Sequence, residues 1–255
     1  MGLYSKIVPE KVRNMIRPFK TPISLLMRGL LQFRSGYKVL SGPFKGMPFR
    51  YPQMEYAMLL GTWEKELSEI WNRVLAKDFE LMVDVGAAEG YYAVGMMFRK
   101  KGARVIAYEM EDHVRSNLEA LRSLNEVKLD IRGKCDLDDL VAFGTELEDA
   151  FLLMDVEGFE AVLLDPVRVP AFRRSWILVE LHDLYVEGCS ELLRERFDKS
   201  HHIELIEGRD RVIQDLPQEI GAWRKCFTPN QWLPFMDEGR PHPMSWYFMT
   251  PRAAN

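Results

Sequence analysis

From about residue 80 the chain alternates between two hydrophobic periods. Short apolar runs at LMVDV (81–85), RVIAYE (104–109), VKLDIRG (127–133), FLLMDV (151–156), SWILVEL (175–181), HIELIEG (202–208) and SWYFMTP (245–251) read as strands. Stretches with helical spacing at 91–101, 112–124, 136–147 and 188–199 separate most of them. Strands joined by helices of that length predict right-handed crossovers and a mostly parallel sheet covered on both faces. The last two strands have no helical pattern between them. Their connection, 208–244, carries Pro, Trp and charged residues and reads as an elaborated loop, so a closing antiparallel hairpin is expected.

Upstream the pattern changes. Val8, Val12, Ile16, Phe19, Ile23, Leu26 and Leu30 recur at steps of three or four, an amphipathic helical pattern interrupted by Pro18 and Pro22. Residues 36–52 are dense in Gly and Pro and read as a turn-rich hairpin or lid. Residues 61–77 then predict a helix with Thr62 as N-cap, Glu64 and Glu66 in its first turn, and Trp63, Leu67, Ile70, Trp71 and Val74 on one face. The expected organisation is an N-terminal helical and hairpin cap over 1–76 and an α/β domain over 77–255.

Charge sharpens this division. Residues 1–50 hold ten Lys or Arg against the single acid Glu10, so the head is +9, whereas the remainder, with 24 bases and 37 acids, is −13. The basic head could contact an anionic surface such as membrane headgroups; a cap with its Lys and Arg in water is the preferred reading, because charge runs are usually solvated faces. Cys135, Cys189 and Cys226 contain no C-x-x-C and predict reduced thiols. No apolar run near the start approaches the roughly 18–20 residues of a membrane span, and a cytoplasmic location is expected.

In a doubly wound sheet the ligand binds beyond the carboxyl ends of the strands, beside the first one. VDVGAAEGYYAVG (83–95) falls there. Counted from Gly86, the dinucleotide pattern G-x-G-x-x-G requires glycine where this chain has Ala88 and Tyr91, and Glu89 would add charge against a pyrophosphate. S-adenosylmethionine makes other demands: it has no phosphate and carries an ammonium and a sulfonium, so acids near the turn attract it. Asp84, Gly86, Ala87 and Gly90 are the candidate turn residues. Glu109, ending the second strand, is placed to accept from the ribose hydroxyls, and Asp136 to meet the adenine amino group. For Asp136, as for Asp112, a helix cap is the competing role.

The chain resembles the FkbM family of S-adenosylmethionine-dependent methyltransferases in VDVGAAEGYYAV (83–94), AYEMED (107–112), LLMDVEGFEAVLL (152–164) and ILVELHD (177–183). The resemblance covers about residues 79–183. It implies a class I methyltransferase (Rossmann-like) fold and methylation of oxygen on sugars, polyketides or other small or glycan-like acceptors, without fixing which.

Asp155 ends the fourth strand, and Glu180 and His182 end the fifth, where alternation sends both to one face. Two chemistries follow for this trio. His182 could take the acceptor's proton, oriented by Asp155 or Glu180. Alternatively Asp155, Glu180 and His182, with Asp183, could hold a divalent cation such as magnesium, although histidine is an awkward magnesium ligand; the metal-free version is preferred. A satisfied buried Glu180–His182 pair is the structural alternative. Glu157 could touch the acceptor, while Glu160 suits the start of the next helix. The aromatic residues of 223–248 read first as packing. Two other functions remain in view: an RNA methyltransferase using the basic head, which the −13 body disfavours by repelling phosphate, and a non-catalytic nucleoside-binding module. Oligomeric state is left open.

Overall fold

The computed structural model describes residues 21–50, 56–240 and 242–253. Val8, Val12, Ile16 and Phe19, with the expected N-terminal part of the amphipathic helix, lie outside the described residues. The chain divides into two compact units: one comprises 1–65 and 209–243, the other 66–208 and 244–255. The boundary expected at residue 76 therefore differs from the observed division, which falls at 65 and returns residues 209–243 to the first unit.

In the first unit, helix α1 runs Pro22–Ser35. Pro22 begins this helix instead of interrupting it: Thr21 is the N-cap and accepts the Ser24 N–H at 3.1 Å, and a proline near a helix start forfeits no hydrogen bond. Lys38 and Pro48 form an isolated antiparallel bridge across the glycine-containing turn, and α2 follows at Tyr56–Leu60. Met27, Leu31, Leu60, Ile220, Trp232 and Phe235 are buried together. The expected helix start at Thr62 is not found. The Thr62 hydroxyl donates to the Ala57 carbonyl, and Glu64 adopts a left-handed backbone (φ 43°) while its carboxylate pairs with Arg240, so helical geometry cannot begin there.

In the second unit, α3 (Ser68–Ala76) precedes strand β1 (Leu81–Val85). The chain continues as α4 (Tyr91–Arg99), β2 (Arg104–Tyr108), α5 (Asp112–Leu124), β3 (Leu129–Arg132), α6 (Leu137–Ala142), β4 (Phe151–Met154), α7 (Glu160–Leu163), β5 (Trp176–Leu181), α8 (Cys189–Phe197), β6 (His201–Ile206) and β7 (Ser245–Pro251). One further helix of the first unit, α9 (Pro229–Met236), lies between β6 and β7 in sequence.

The seven strands form one sheet in the order β3-β2-β1-β4-β5-β7-β6. The first five strands pair in parallel, and β7 inserts between β5 and β6, antiparallel to both, which makes the expected closing hairpin. This strand order, with helical crossovers and a terminal antiparallel strand, is the class I methyltransferase arrangement, a Rossmann-like fold. The central strands β1, β2, β4 and β5 read as nearly continuous apolar runs because both faces are covered: Leu81, Val83 and Val85 enter one core with Ile106, Leu152 and Val179, while Met82 and Asp84 face the other side. On that other side Trp71 of α3 stacks on Tyr92 of α4 and meets Phe151 edge-on. Trp246 and Phe248 are also buried in the sheet, and Trp232 and Phe235 in the first unit, so these aromatics pack as core. None of the helices among the described residues is long and apolar enough to cross a membrane.

Candidate active site

Strand order reverses at β1, which has β2 on one side and β4 on the other. A cavity of about 450 Å³ opens at their carboxyl ends, where doubly wound sheets hold ligands. Its wall combines Val85, Gly86 and Ala88 from the β1 turn, Tyr108, Glu109, Met110 and Glu111 after β2, Lys134 and Cys135 after β3, and Asp155, Val156, Glu157, Phe159 and Leu163 after β4. Four carboxylates thus face one ammonium. A bound cation gains from this lining and a diphosphate loses.

The β1 turn is shaped by close approach. At Gly86 (φ 88°) an added Cβ would lie 1.7 Å from the Asp155 carbonyl oxygen, so only glycine lets the ends of β1 and β4 meet. Ala88 occupies the left-handed region at φ 44°, where a glycine would be unstrained, and its N–H donates to Glu109 Oε2 at 2.9 Å. Glu109 Oε1 accepts the Glu111 N–H at 2.8 Å. The acid expected to meet a ribose therefore also ties the β1 turn to the loop after β2, and its buried carboxylate borders the cavity.

The other expected cofactor residues separate into two groups. Gly86 lines the cavity. Gly90 begins α4 with φ 92° and contacts Leu118 of α5, and Ala87 is buried behind the turn. Asp84 is buried on the opposite face of β1 and does not line the cavity; burial, reinforced by the Glu109 charge, pushes its carboxyl up to about 8. Asp136 stands apart from these residues. It is exposed, sits at the N-cap of α6 with its N–H donating to Asp139 at 2.8 Å, and does not line the cavity. Capping, its competing role, is the one observed; Lys134 and Cys135 form that end of the wall. Burial raises the Cys135 thiol to about 12, so it stays protonated and unreactive.

Beyond β4 the segment DVEGFE wraps a buried imidazole. Glu157 (φ 53°) and Gly158 (φ 104°) turn the chain sharply, and Glu160, fully buried, closes the turn from below. Its Oε1 accepts the Val156 N–H at 2.9 Å and faces His182 Nδ1 at 2.7 Å, while its Oε2 accepts the Gly158 N–H at 3.0 Å. On the other ring nitrogen, His182 Nε2 lies 3.1 Å from Glu180, 3.4 Å from Glu157 and 3.6 Å from Asp155. The expected convergence of Asp155, Glu180 and His182 is thus present in the structure.

The environment of His182 differs from that of a free general base. Its ring is 1% exposed and stacks under Tyr185. Burial alone lowers its pKa, but the hydrogen bonds and charges of Glu160 and Glu180 together outweigh that and raise it to about 10. The paired carboxylates favour the charged ring, the form that donates a proton and does not accept one. Asp183, the fourth expected metal ligand, instead accepts from the Ser190 N–H and hydroxyl at the start of α8, at 3.0 and 3.1 Å. The sequence reading missed the role of Glu160; the signal was an acid five residues after Asp155, on the far side of a glycine turn.

No family model matches the chain, and no curated protein matches it. Among solved structures it is similar to a putative O-methyltransferase from Klebsiella pneumoniae, with 12% identity over 80% of this chain and 87% of that one and a TM-score of 0.41. It is similar to the O-methyltransferase TomG from Streptomyces achromogenes, involved in tomaymycin synthesis and solved in complex with S-adenosylmethionine, with 11% identity, 80% and 86% coverage and a TM-score of 0.40. A precorrin-6y C5,15-methyltransferase from Geobacter metallireducens aligns with 12% identity, 71% and 86% coverage and a TM-score of 0.42. The assignment of the fold rests on the strand order, strand directions and crossovers described above.

Proposed function

We propose that this chain is an S-adenosylmethionine-dependent methyltransferase, acting on an oxygen of a sugar, glycan or other small hydroxyl-bearing acceptor, as its resemblance to the FkbM family implies. The observation that carries this reading is the acid-lined cavity at the β1 switch point, with Glu109 tied to the glycine turn and Asp155 across from it. Its residues fit the cofactor: the volume suits a nucleoside with a short side chain, Gly86 and Ala88 bring backbone close, and the excess of carboxylates matches a cation. Glu109 would hold the ribose, and Met110 would supply apolar contact for the base.

When bound, S-adenosylmethionine supplies an electrophilic methyl group on sulfur. The chain's own residues align the acceptor and receive its proton. Asp155 and Glu157, which border the cavity, are the carboxylates placed to do this. His182 and Glu180, almost wholly buried behind them, hold their positions. An acceptor rich in phosphate would meet Glu111 and Glu157 at the opening, which favours a hydroxyl-bearing small molecule over RNA.

The test is calorimetry with S-adenosylhomocysteine, followed by incubation of the chain with isotopically labelled methyl donor and candidate acceptors. Binding together with a labelled O-methyl product is the expected result. Absence of binding would remove the reading, and binding without transfer to any acceptor would leave a nucleoside-binding module.

A further inference from the structure

We propose that His182 Nε2, Asp155 and Glu157 form a binding site for a zinc-like first-row transition-metal dication at the wall of the cavity.

Geometry comes first. One donor atom from each of the three residues can be chosen so that all lie within 4.8 Å of one another. Nε2 stands 3.4 Å from Glu157 Oε2 and 3.6 Å from Asp155 Oδ1. Those spacings are long for hydrogen bonds, which favour about 2.7–3.2 Å. Donors that share an ion through bonds of about 2.0–2.2 Å stand roughly 3.0–3.5 Å apart, so small side-chain movements of Asp155 and Glu157 would bring the three atoms to that spacing.

The second observation is the support behind the imidazole. Metal-bound histidines usually donate their other ring N–H to a carboxylate or carbonyl, which fixes the tautomer and aims the lone pair. Glu160 stands in that place, 2.7 Å from Nδ1, and its own orientation is set by the Val156 and Gly158 N–H groups. With Nδ1 as donor, Nε2 faces Glu180 at 3.1 Å, with Glu157 and Asp155 next at 3.4 and 3.6 Å. Glu180 adds a further carboxylate, so four acids surround one imidazole and a dication offsets more of their charge than a proton does.

The donor set selects the metal. One imidazole nitrogen with two carboxylate oxygens suits zinc or iron, whereas magnesium prefers an all-oxygen octahedron. Three protein ligands leave a position open, and because Asp155 and Glu157 line the cavity, that position faces it. The role of the ion, though not the existence of the site, rests on the methyl-transfer reading: an acceptor hydroxyl in the cavity would bind at the open position and lose its proton to solvent, with Asp155 and Glu157 then serving as ligands in place of proton acceptors.

The experiment titrates Co(II) into the metal-free full-length chain and follows the visible absorption of the bound ion, then displaces it with Zn(II). One Co(II) per chain, displaced by Zn(II) but not by millimolar Mg(II), is expected. Glu157 is mostly exposed, so Glu157→Gln should fold normally by circular dichroism and weaken Co(II) at least tenfold. Glu160→Gln, acting through the ring, should weaken it about 10–100-fold and alter the absorption band. Absence of stoichiometric Co(II) binding, or equal binding by wild type, Glu157→Gln and His182→Gln, would overturn the site. Calorimetry with S-adenosylhomocysteine on the metal-free chain reads the cofactor separately: retained binding with no Co(II) site defeats only the metal, and the converse defeats only the methyl-transfer reading.

Discussion

Glu160 Oε1 lies 2.7 Å from His182 Nδ1, and the same carboxylate accepts the N–H groups of Val156 and Gly158. One buried acid therefore fixes both the imidazole and the loop that carries Asp155 and Glu157 to the cavity. Three N–H donors converge on its two oxygens. A carboxylate can accept all three, and no neutral side chain of the same shape can.

Glu160→Gln should for that reason be disruptive despite its small change in volume. Its amide would turn an NH2 toward a backbone N–H and leave a buried donor unsatisfied, at a cost of about 2–3 kcal/mol. A melting temperature lower by several degrees is expected. Binding of S-adenosylhomocysteine, which depends on the β1 turn, should change little. A variant as stable as wild type would show that the loop is held by other contacts.

Glu109 links two parts of the cavity wall, and Glu109→Ala removes both that link and the expected ribose acceptor. Affinity for S-adenosylhomocysteine should fall about 10–100-fold, or roughly 1.4–2.8 kcal/mol, by calorimetry. Asp136→Ala is the contrasting change. Because Asp136 is exposed at the start of α6, outside the cavity wall, it should leave that affinity intact and cost about 1 kcal/mol of stability as a lost cap. If Asp136→Ala lost more affinity than Glu109→Ala, the cofactor would have to lie differently from this proposal.

Gly86 and Gly90 both have positive φ, yet they should differ in their tolerance of alanine. A Cβ at Gly86 would lie 1.7 Å from backbone, the Asp155 carbonyl oxygen; at Gly90 it would lie 2.2 Å from Leu118 Cδ1, the end of a flexible side chain. Gly86→Ala must separate β1 from β4 at the mouth of the cavity, so loss of soluble folded protein or destabilisation above about 4 kcal/mol is expected. Gly90→Ala can be met by a rotamer change in Leu118 and should cost about 1–3 kcal/mol. Chemical denaturation of the two variants ranks them directly.

These contrasts show what the sequence made legible. Strand periodicity identified the seven strands, and the β1 turn stood out because glycines and an acid ended an apolar run. Periodicity reports which face of an element is buried. It is silent about which distant loop a segment joins, so residues 209–243 gave no sign of packing with the N-terminal unit. It also could not separate the acids at strand ends. Asp136 and Glu109 occupy comparable positions, and only the path of the backbone decides that one caps a helix while the other borders the cavity. Glu160 read as a helix-start acid because its partners, His182 and two backbone N–H groups, are brought to it only by the fold.

Asp84 offers a measurement in which pH itself is the probe. Its carboxyl is buried on the far face of β1, accepts the Ala93 N–H, and has its Oδ2 buried without a hydrogen-bond partner among the described residues. Burial first, then the Glu109 charge, raises its pKa from near 3.8 to about 8. Below about pH 4 the acid is protonated in both folded and unfolded chains and exerts no pH-dependent effect. Between about 4 and 8 the folded chain keeps a proton that the unfolded chain has released, so its stability falls as pH rises; above 8 both are ionised and the full penalty applies. Asp84→Asn retains an acceptor for Ala93 and removes the ionisation. Thermal melts of the ligand-free protein from pH 5 to 9 should show the wild type losing stability across this range, and the variant holding a flatter profile and exceeding wild type by several kcal/mol at pH 9. Parallel profiles would mean that Asp84 is ionised in the folded protein at neutral pH.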